Sequence, residues 1–272
     1  MRICLIFAIS LVMAGPATAK VVTGSEGSKI EITELERFDG AWAMTIMPDG
    51  RMLVTEQGGT IWLVGRDGKK RGKIGNIPAV TERGQGGLGD VILDPDFENN
   101  KRVYISYVER DEADENLSGA VVDSATLTLS ARGGALVQRE RIWNQSPKVT
   151  GNGHYGHRLA FSPETAKDGG GYLYITSGER QKFTPAQNMD MNLGKVVRIK
   201  SEGTIPDDNP FADQGGVTSE IWTLGHRNPL GIDFDAAGRL WVHEMGPRHG
   251  DELNHITRSS NYGYPTVSNG DH

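Results

Sequence analysis

An all-β fold of β-propeller type is what this sequence predicts, and three observations carry the prediction. A strand, an acidic or proline-bearing turn and a second strand recur four times along the chain. The turns stand near residues 48, 95, 163 and 236. Those intervals of roughly fifty to seventy residues match propeller blades with insertions. Helical periodicity is nearly absent. With 36 glycines, 12 prolines and 37% apolar residues, the composition suits a folded, loop-rich chain of short strands. A β-sandwich also repeats hairpins, but its turns come more evenly, about every eight to twelve residues.

Residues 1–19 read as a secretory signal, outside the fold. Met1-Arg2 is a positive start, Ile3 to Ala14 is an apolar run too short to span a bilayer comfortably, and Gly15-Pro16 breaks it. Ala17-Thr18-Ala19 then offers small residues for cleavage before Lys20. The single cysteine, Cys4, lies inside this segment and not at the cleavage position, which argues against a lipid-anchored cysteine. A chain starting at Lys20 has no thiol, so it is held by its own core or by bound metal. No other apolar run approaches membrane-spanning length, so no membrane insertion is expected after cleavage. The expected location is periplasmic or secreted. A net charge of −6 with no basic run excludes a nucleic-acid surface.

In order, Lys20 to Phe38 reads as an opening strand that pairs elsewhere. The first copy runs from Trp42–Ile46 through Pro48-Asp49-Gly50 to Met52–Thr55, and the second from Leu88–Leu93 through Asp94-Pro95-Asp96 to Val103–Tyr107. The third joins Leu159–Phe161 to Tyr172–Thr176 through Ser162-Pro163 and a Gly-rich insertion, and the fourth joins Ile232–Phe234 to Leu240–Val242. Thr60–Val64 and Lys195–Ile199 fill out the sheets, and Ala113 to Ser118 is a solvated loop. Residues 20–272 thus form one propeller domain. Four copies do not close a comfortable ring, and Gly270-Asp271-His272 carries no terminating signal, so the chain is expected to be incomplete at its C-terminus.

The chemistry concentrates around these hairpins. The fourth is preceded by His226-Arg227-Asn228-Pro229 and followed by Gly246-Pro247-Arg248-His249-Gly250-Asp251-Glu252. Taken alone these are ordinary connectors, although loops on rigid hairpins are the usual place for binding groups. Gly84-Gln85-Gly86-Gly87 precedes the second copy, where glycines let the backbone approach a ligand and one amide can bond it in two directions. His154 stands in a Gly-rich approach to the third copy, Gly151 to Arg158, and Ser177-Gly178-Glu179-Arg180 follows that copy. His154-x-x-His157 has a zinc-like look but lacks a third ligand at suitable spacing. In a propeller such positions gather near the central channel.

Six motifs occur in order: Gly-Gln-Gly-Gly-Leu, His-Tyr-Gly-x-Arg-Leu, Gly-Glu-Arg, His-Arg-Asn-Pro-x-Gly, Glu-Met-Gly-Pro-Arg-x-Gly-Asp-Glu-Leu-Asn and Asn-Tyr-Gly-Tyr-Pro. Over nearly all of residues 30–272 the chain resembles the soluble pyrroloquinoline-quinone (PQQ) dependent sugar dehydrogenases, and more closely their aldose sugar dehydrogenase branch. The resemblance implies a six-bladed propeller, of which this chain supplies four blades and part of a fifth. It implies oxidation of aldose sugars at C1 to lactones, with electrons leaving to a quinone or dye-like acceptor.

His154 then matches the general base, and Arg227 and Asn228 match the pair beside the quinone oxygens. Gln85 and Glu179 match substrate-side polar residues, Glu179 standing where some relatives have Asp. Gly246 and Pro247 match backbone carbonyl ligands of a calcium ion that polarises PQQ, and Glu252 and Tyr262 match a second, structural calcium site. The basic residues that hold the PQQ carboxylates in that family come largely from later blades.

Two other classes compete with this reading. One is a calcium-dependent propeller hydrolase, a lactonase or esterase in which His154 activates water. The other is a non-catalytic binding propeller. Arg227-Asn228 beside Gly246-Pro247 favours oxidation, because a hydrolase calcium is better caged by several Asp, Asn or Glu side chains and no such ring is evident.

Overall fold

The computed structural model describes residues 19–165 and 171–271. Residues 1–18, which hold Cys4 and all but the last residue of the signal segment, the core of the Gly-rich insertion, 166–170, and His272 lie outside the described residues. The strands fall where alternating apolar residues meet Gly, Pro or Asp turns. After β1 (Lys20–Thr23) and β2 (Lys29–Ile32), a first sheet holds β3 (Ala41–Ile46), β4 (Met52–Glu56), β5 (Thr60–Val64) and β6 (Lys70–Gly75). A second group contains β7 (Leu88–Leu93), β8 (Arg102–Arg110), β9 (Ser118–Ser130) and β10 (Gly133–Asn144), with the one-turn helix α1 (Phe97–Asn100) between β7 and β8. A third has β11 (Gly156–Thr165), β12 (Gly171–Ser177), β13 (Lys195–Lys200) and β14 (Ile221–Leu224). The last has β15 (Pro229–Phe234), β16 (Leu240–Glu244) and β17 (Glu252–Ile256).

Within each group, neighbours in sequence are antiparallel neighbours in space. The first strands of successive groups pack in turn, β3 on β7, β7 on β11 and β11 on β15. Sheets radiating from a shared inner row of strands make a β-propeller, as the sequence predicts. One link crosses between sheets: β10 pairs in parallel with β6, Gly134 opposite Ile74 and Ala135 opposite Gly75. That approach requires glycine at 133, where φ is +133° and any Cβ would strike the Lys73 carbonyl.

The core lies between sheets. Along β8, Val103 and Ile105 pack toward the first sheet while Tyr104 and Val108 pack toward the third. Along β12, Leu173 and Ile175 face the second sheet while Tyr172 and Tyr174 face the fourth. Both faces of these strands are covered, so each reads as a continuous apolar run, and each fully buried aliphatic side chain contributes ~1.5–3 kcal/mol. The outward faces of the first and last sheets instead expose Met44 at 58%, Ile46 at 62% and Leu253 at 69%.

One expectation is corrected here. The opening segment adds no strand to another sheet; β1 pairs with β2 through a Gly24–Ser28 turn, and all eight of their residues are exposed. Sequence reading also passes over β9 and β10. Their outer halves are polar, with Thr126, Thr128, Gln138 and Arg139 toward water, and register shifts interrupt the alternation on β10.

Candidate active site

Three loops lead into inner strands at one end of the propeller: 84–87 before β7, 151–155 before β11 and 225–228 before β15. Two more leave second strands at that same end, 178–183 after β12 and 245–251 after β16. Hydrogen bonds knit them together. Gln85 N donates to Asn152 O at 2.8 Å, Glu179 N to Arg227 O at 2.8 Å, and Met245 N to Asn228 O at 3.0 Å.

His154 and Glu179 form the centre of this network. His154 Nδ1 lies 2.5 Å from Glu179 Oε1, and both residues are buried. The same carboxylate accepts the backbone N–H groups of Gln181 (2.9 Å), Lys182 (2.5 Å) and Phe183 (2.6 Å). Burial works to raise the Glu179 carboxyl, but the His154 contact and these N–H donors outweigh it and hold the group below its ordinary 4.5. An ionised carboxylate on Nδ1 places the neutral ring's proton there and leaves Nε2 as the acceptor. Glu179 is thereby placed to orient His154, and both of its oxygens are engaged within the chain.

Gln85 ties this pair to the fourth sheet. Its Oε1 accepts His154 N at 2.7 Å and Asn228 Nδ2 at 3.3 Å. Two donors on one oxygen fix the amide orientation and turn Nε2 away as a donor. Gln57 supports the loop from below, donating through Nε2 to Gly84 O (2.9 Å) and Gly86 O (2.6 Å). Asn228 is fully buried, and its Oδ1 has no protein partner.

Arg227 sits on a second carboxylate. Its backbone N donates to Glu244 Oε2 at 2.6 Å, and Glu244 Oε1 stands 3.6 Å from Nδ1 of the buried His226. His226 Nε2 meets Thr223 Oγ1 at 2.9 Å and its ring stacks on Tyr262, centroids 4.7 Å apart. Glu244 was not legible as a site residue, although it opens the Glu-Met-Gly-Pro motif; its role depends on the pairing of β15 and β16. The Arg227 guanidinium reaches Met245 O (2.9 Å) and Gly246 O (2.7 Å) through Nη1, and its buried Nε has no partner.

A cavity of about 410 Å³ is lined by His154, Glu179, Arg227 and Pro247, with Phe183 and Tyr264 as aromatic wall. Those two rings are nearly parallel, 6.3 Å apart at 18°. A flat, anionic quinone such as PQQ fits this set. Arg227 and Arg248 bring positive charge beside the acidic residues Glu179 and Asp271, the two rings offer flat apolar surface, and the buried Arg227 Nε has no protein partner.

The groups expected to bind calcium are hydrogen-bonded within the chain. Gly246 O already carries the Arg227 guanidinium and Pro247 O accepts Gly250 N at 3.0 Å. Glu252 Oε2 accepts Asn254 Nδ2 at 3.0 Å, while the Tyr262 hydroxyl donates to His255 O at 2.6 Å. Among the described residues no three His, Cys, Asp or Glu side chains converge as a metal site.

His157 is a packing residue. Its ring fills the space above Gly89, where a Cβ would collide with it, and stacks on Trp42 at 6.0 Å. Ser106 Oγ lies 2.9 Å from its Nδ1, and burial, aided by the charges of Arg158 and Arg180, pulls it down to about 3. His154 and His157 thus turn to different partners, which removes the zinc-like pair.

Fold and site together define a propeller with a carboxylate–imidazole dyad beside a guanidinium-lined cavity. Residues 38–272 match the family model described as Glucose / Sorbosone dehydrogenase, and the chain belongs to that family. It is 36% identical over 263 residues to "Aldose sugar dehydrogenase YliI" of Escherichia coli (strain K12), covering 95% of this chain and 65% of that protein. The apo crystal structure of the soluble aldose sugar dehydrogenase (Asd) from Escherichia coli superposes with a TM-score of 0.77 at 37% identity, over 85% of this chain and 64% of that one. The PQQ-bound aldose sugar dehydrogenase (Adh) from Streptomyces coelicolor superposes with a TM-score of 0.74 at 27% identity, over 93% and 69%. The chain therefore spans about two thirds of the length of these relatives. No helix among the described residues is long and apolar enough to cross a membrane.

Proposed function

We infer that this protein is a PQQ-dependent sugar dehydrogenase that oxidises aldoses at C1 to lactones, its electrons leaving to a quinone or dye-like acceptor. The observation that carries the reading is the His154–Glu179 dyad, 2.5 Å apart, in the wall of the cavity that Arg227 also lines. Family membership and the PQQ-bound relative support it. PQQ, when bound, supplies the two-electron acceptor.

The chain's own groups supply the rest. His154 Nε2 takes the proton of the anomeric hydroxyl, and Glu179 holds the opposite nitrogen's proton so that the imidazolium is stabilised as it forms. Gln85 Nε2 offers a donor fixed in direction by the two bonds on its oxygen. Arg227 offsets developing negative charge, and preorganised donors of this kind are often the largest contribution to rate. Asn228 and Arg227 hold the quinone side. Calcium on the Gly246 and Pro247 carbonyls, and a second ion at Glu252 and Tyr262, belong to the same reading by resemblance. Export through residues 1–19 to a periplasmic or secreted location completes it.

The test is direct. The purified protein is incubated with PQQ and calcium and assayed for dye reduction across a panel of aldoses, with the product identified by NMR. Aldose-dependent reduction with lactone formation is expected. Hydrolysis of lactones or esters with no aldose-dependent reduction would overturn it in favour of a hydrolase.

A further inference from the structure

Arg180 is among the largest side chains in the protein to be completely buried. It forms no ion pair among the described residues, because the neighbouring Glu179 carboxylate is committed to His154 and to backbone N–H groups. Its guanidinium faces neutral oxygens instead. Nε donates to Gly153 O at 3.0 Å, Nη1 to Ser118 O at 2.6 Å, and Nη2 to Gly151 O at 2.6 Å and more weakly to Ser118 Oγ at 3.4 Å. The cation lies 3.7 Å above the Tyr155 ring, and that residue's hydroxyl bonds Ser118 Oγ at 2.8 Å and Gly151 O at 3.2 Å. The main-chain N of Arg180 donates to His154 O at 3.2 Å.

These contacts bracket one residue. Gly151 and Gly153 precede His154, Tyr155 follows it, and Glu179 immediately precedes the arginine. Burial pulls the guanidinium down to about 10, so it stays charged at neutral pH even without a carboxylate. An unpaired buried cation is costly unless its hydrogen bonds are made, and here every nitrogen makes one. The segments it joins are strained: His154, His157, Arg180, Gln181 and Phe183 all have φ between 50° and 63°. Such conformations persist only where surrounding contacts over-determine them.

We propose that Arg180 is a positioning residue that locks the Gly151–Tyr155 loop onto the Glu179 turn and so sets the His154–Glu179 geometry. It rests on the reading of His154 as the base. Lysine cannot replace it, since a single ammonium has no planar fork to reach Gly151, Gly153 and Ser118 together.

Arg180→Met and Arg180→Lys test this against the parent protein by melting temperature, PQQ titration, steady-state dye reduction and the downfield imidazole N–H resonance of His154. His154→Gln assigns that resonance. Both folded variants are expected to bind PQQ as the parent does, to lose kcat at least ~10-fold with KM little changed, and to lose or shift the resonance; one tenfold step corresponds to about 1.4 kcal/mol. Lysine should recover only a fraction of the loss. Retention of parent kcat and resonance in Arg180→Met overturns the proposal. Failure of both variants to fold overturns it too, by making Arg180 a residue of the fold. The resonance is read without turnover. A parent protein that oxidised no aldose would therefore sink the proposed function and leave the clamp to be judged on the resonance alone.

Discussion

Gln85 and His154 stand 69 residues apart in sequence and on adjacent sheets, yet Gln85 Oε1 accepts the backbone N–H of His154 at 2.7 Å. One side-chain amide therefore spaces the loop before β7 from the loop that carries the proposed base. With Asn228 Nδ2 at 3.3 Å on the same oxygen, it also ties in the fourth sheet.

Gln85→Leu should leave two donors without their acceptor, the loss of each buried hydrogen bond costing ~1–3 kcal/mol. Dye reduction is expected to fall about 10-fold or more, with a small loss of thermal stability. Parent-like kcat/KM in this variant would show that the amide neither spaces the loops nor contacts the substrate.

His154→Ala should abolish sugar oxidation while sparing the cofactor. A lost general base costs ~10²–10⁴ in rate. The proposed reading gives the grip on the quinone to Arg227 and Asn228, so a titration followed by PQQ absorbance should give nearly the parent Kd. Near-normal turnover at saturating PQQ would remove His154 from the chemistry.

Glu179 makes the site acid-sensitive. Its folded-state carboxyl lies below the 4.5 of the free side chain, chiefly because the His154 contact and three backbone donors outweigh burial. A depressed carboxylate contributes stability that is complete above the unfolded value and lost as pH falls through the folded one. The parent melting temperature should therefore drop on acidification below about pH 4.5, and Glu179→Gln should flatten that limb. The same variant removes the carboxylate that fixes the His154 tautomer, so kcat should fall ~10²–10⁴-fold even at neutral pH. A variant with the parent's acid limb would place that sensitivity elsewhere.

Arg227 holds Gly246 O, the carbonyl that calcium is expected to use. A guanidinium and a divalent ion on one oxygen repel, so Arg227→Ala is expected to bind calcium at least as tightly as the parent by calorimetry. Its PQQ affinity and turnover should both decline, since the proposed function sets that charge against the quinone. At a hundredfold excess over Kd, calcium should stabilise the parent by ~2.7 kcal/mol. A melting temperature indifferent to chelator would count against both ion sites.

Sequence alone determined the class of the fold and singled out residues, His154, Glu179, Arg227 and Pro247, that the structure brings to one cavity. The apolar runs Val103–Tyr107 and Tyr172–Thr176 were readable as strands because sheets on both sides bury both of their faces. Glycine and proline marked the loops, because few other residues adopt those turns. The opening segment misleads because both of its strands are wholly exposed, and β9 and β10 escape notice because register shifts interrupt their pairing and polar residues fill their outer halves. The site's pairings belong to tertiary structure alone. Nothing in the chain order says that Glu179 engages His154, that Gln85 turns its oxygen inward, or that Glu244 holds the Arg227 backbone. Each is settled by short-range hydrogen bonds between loops 17 to 143 residues apart, and these distances exist only once the inner strands stand side by side.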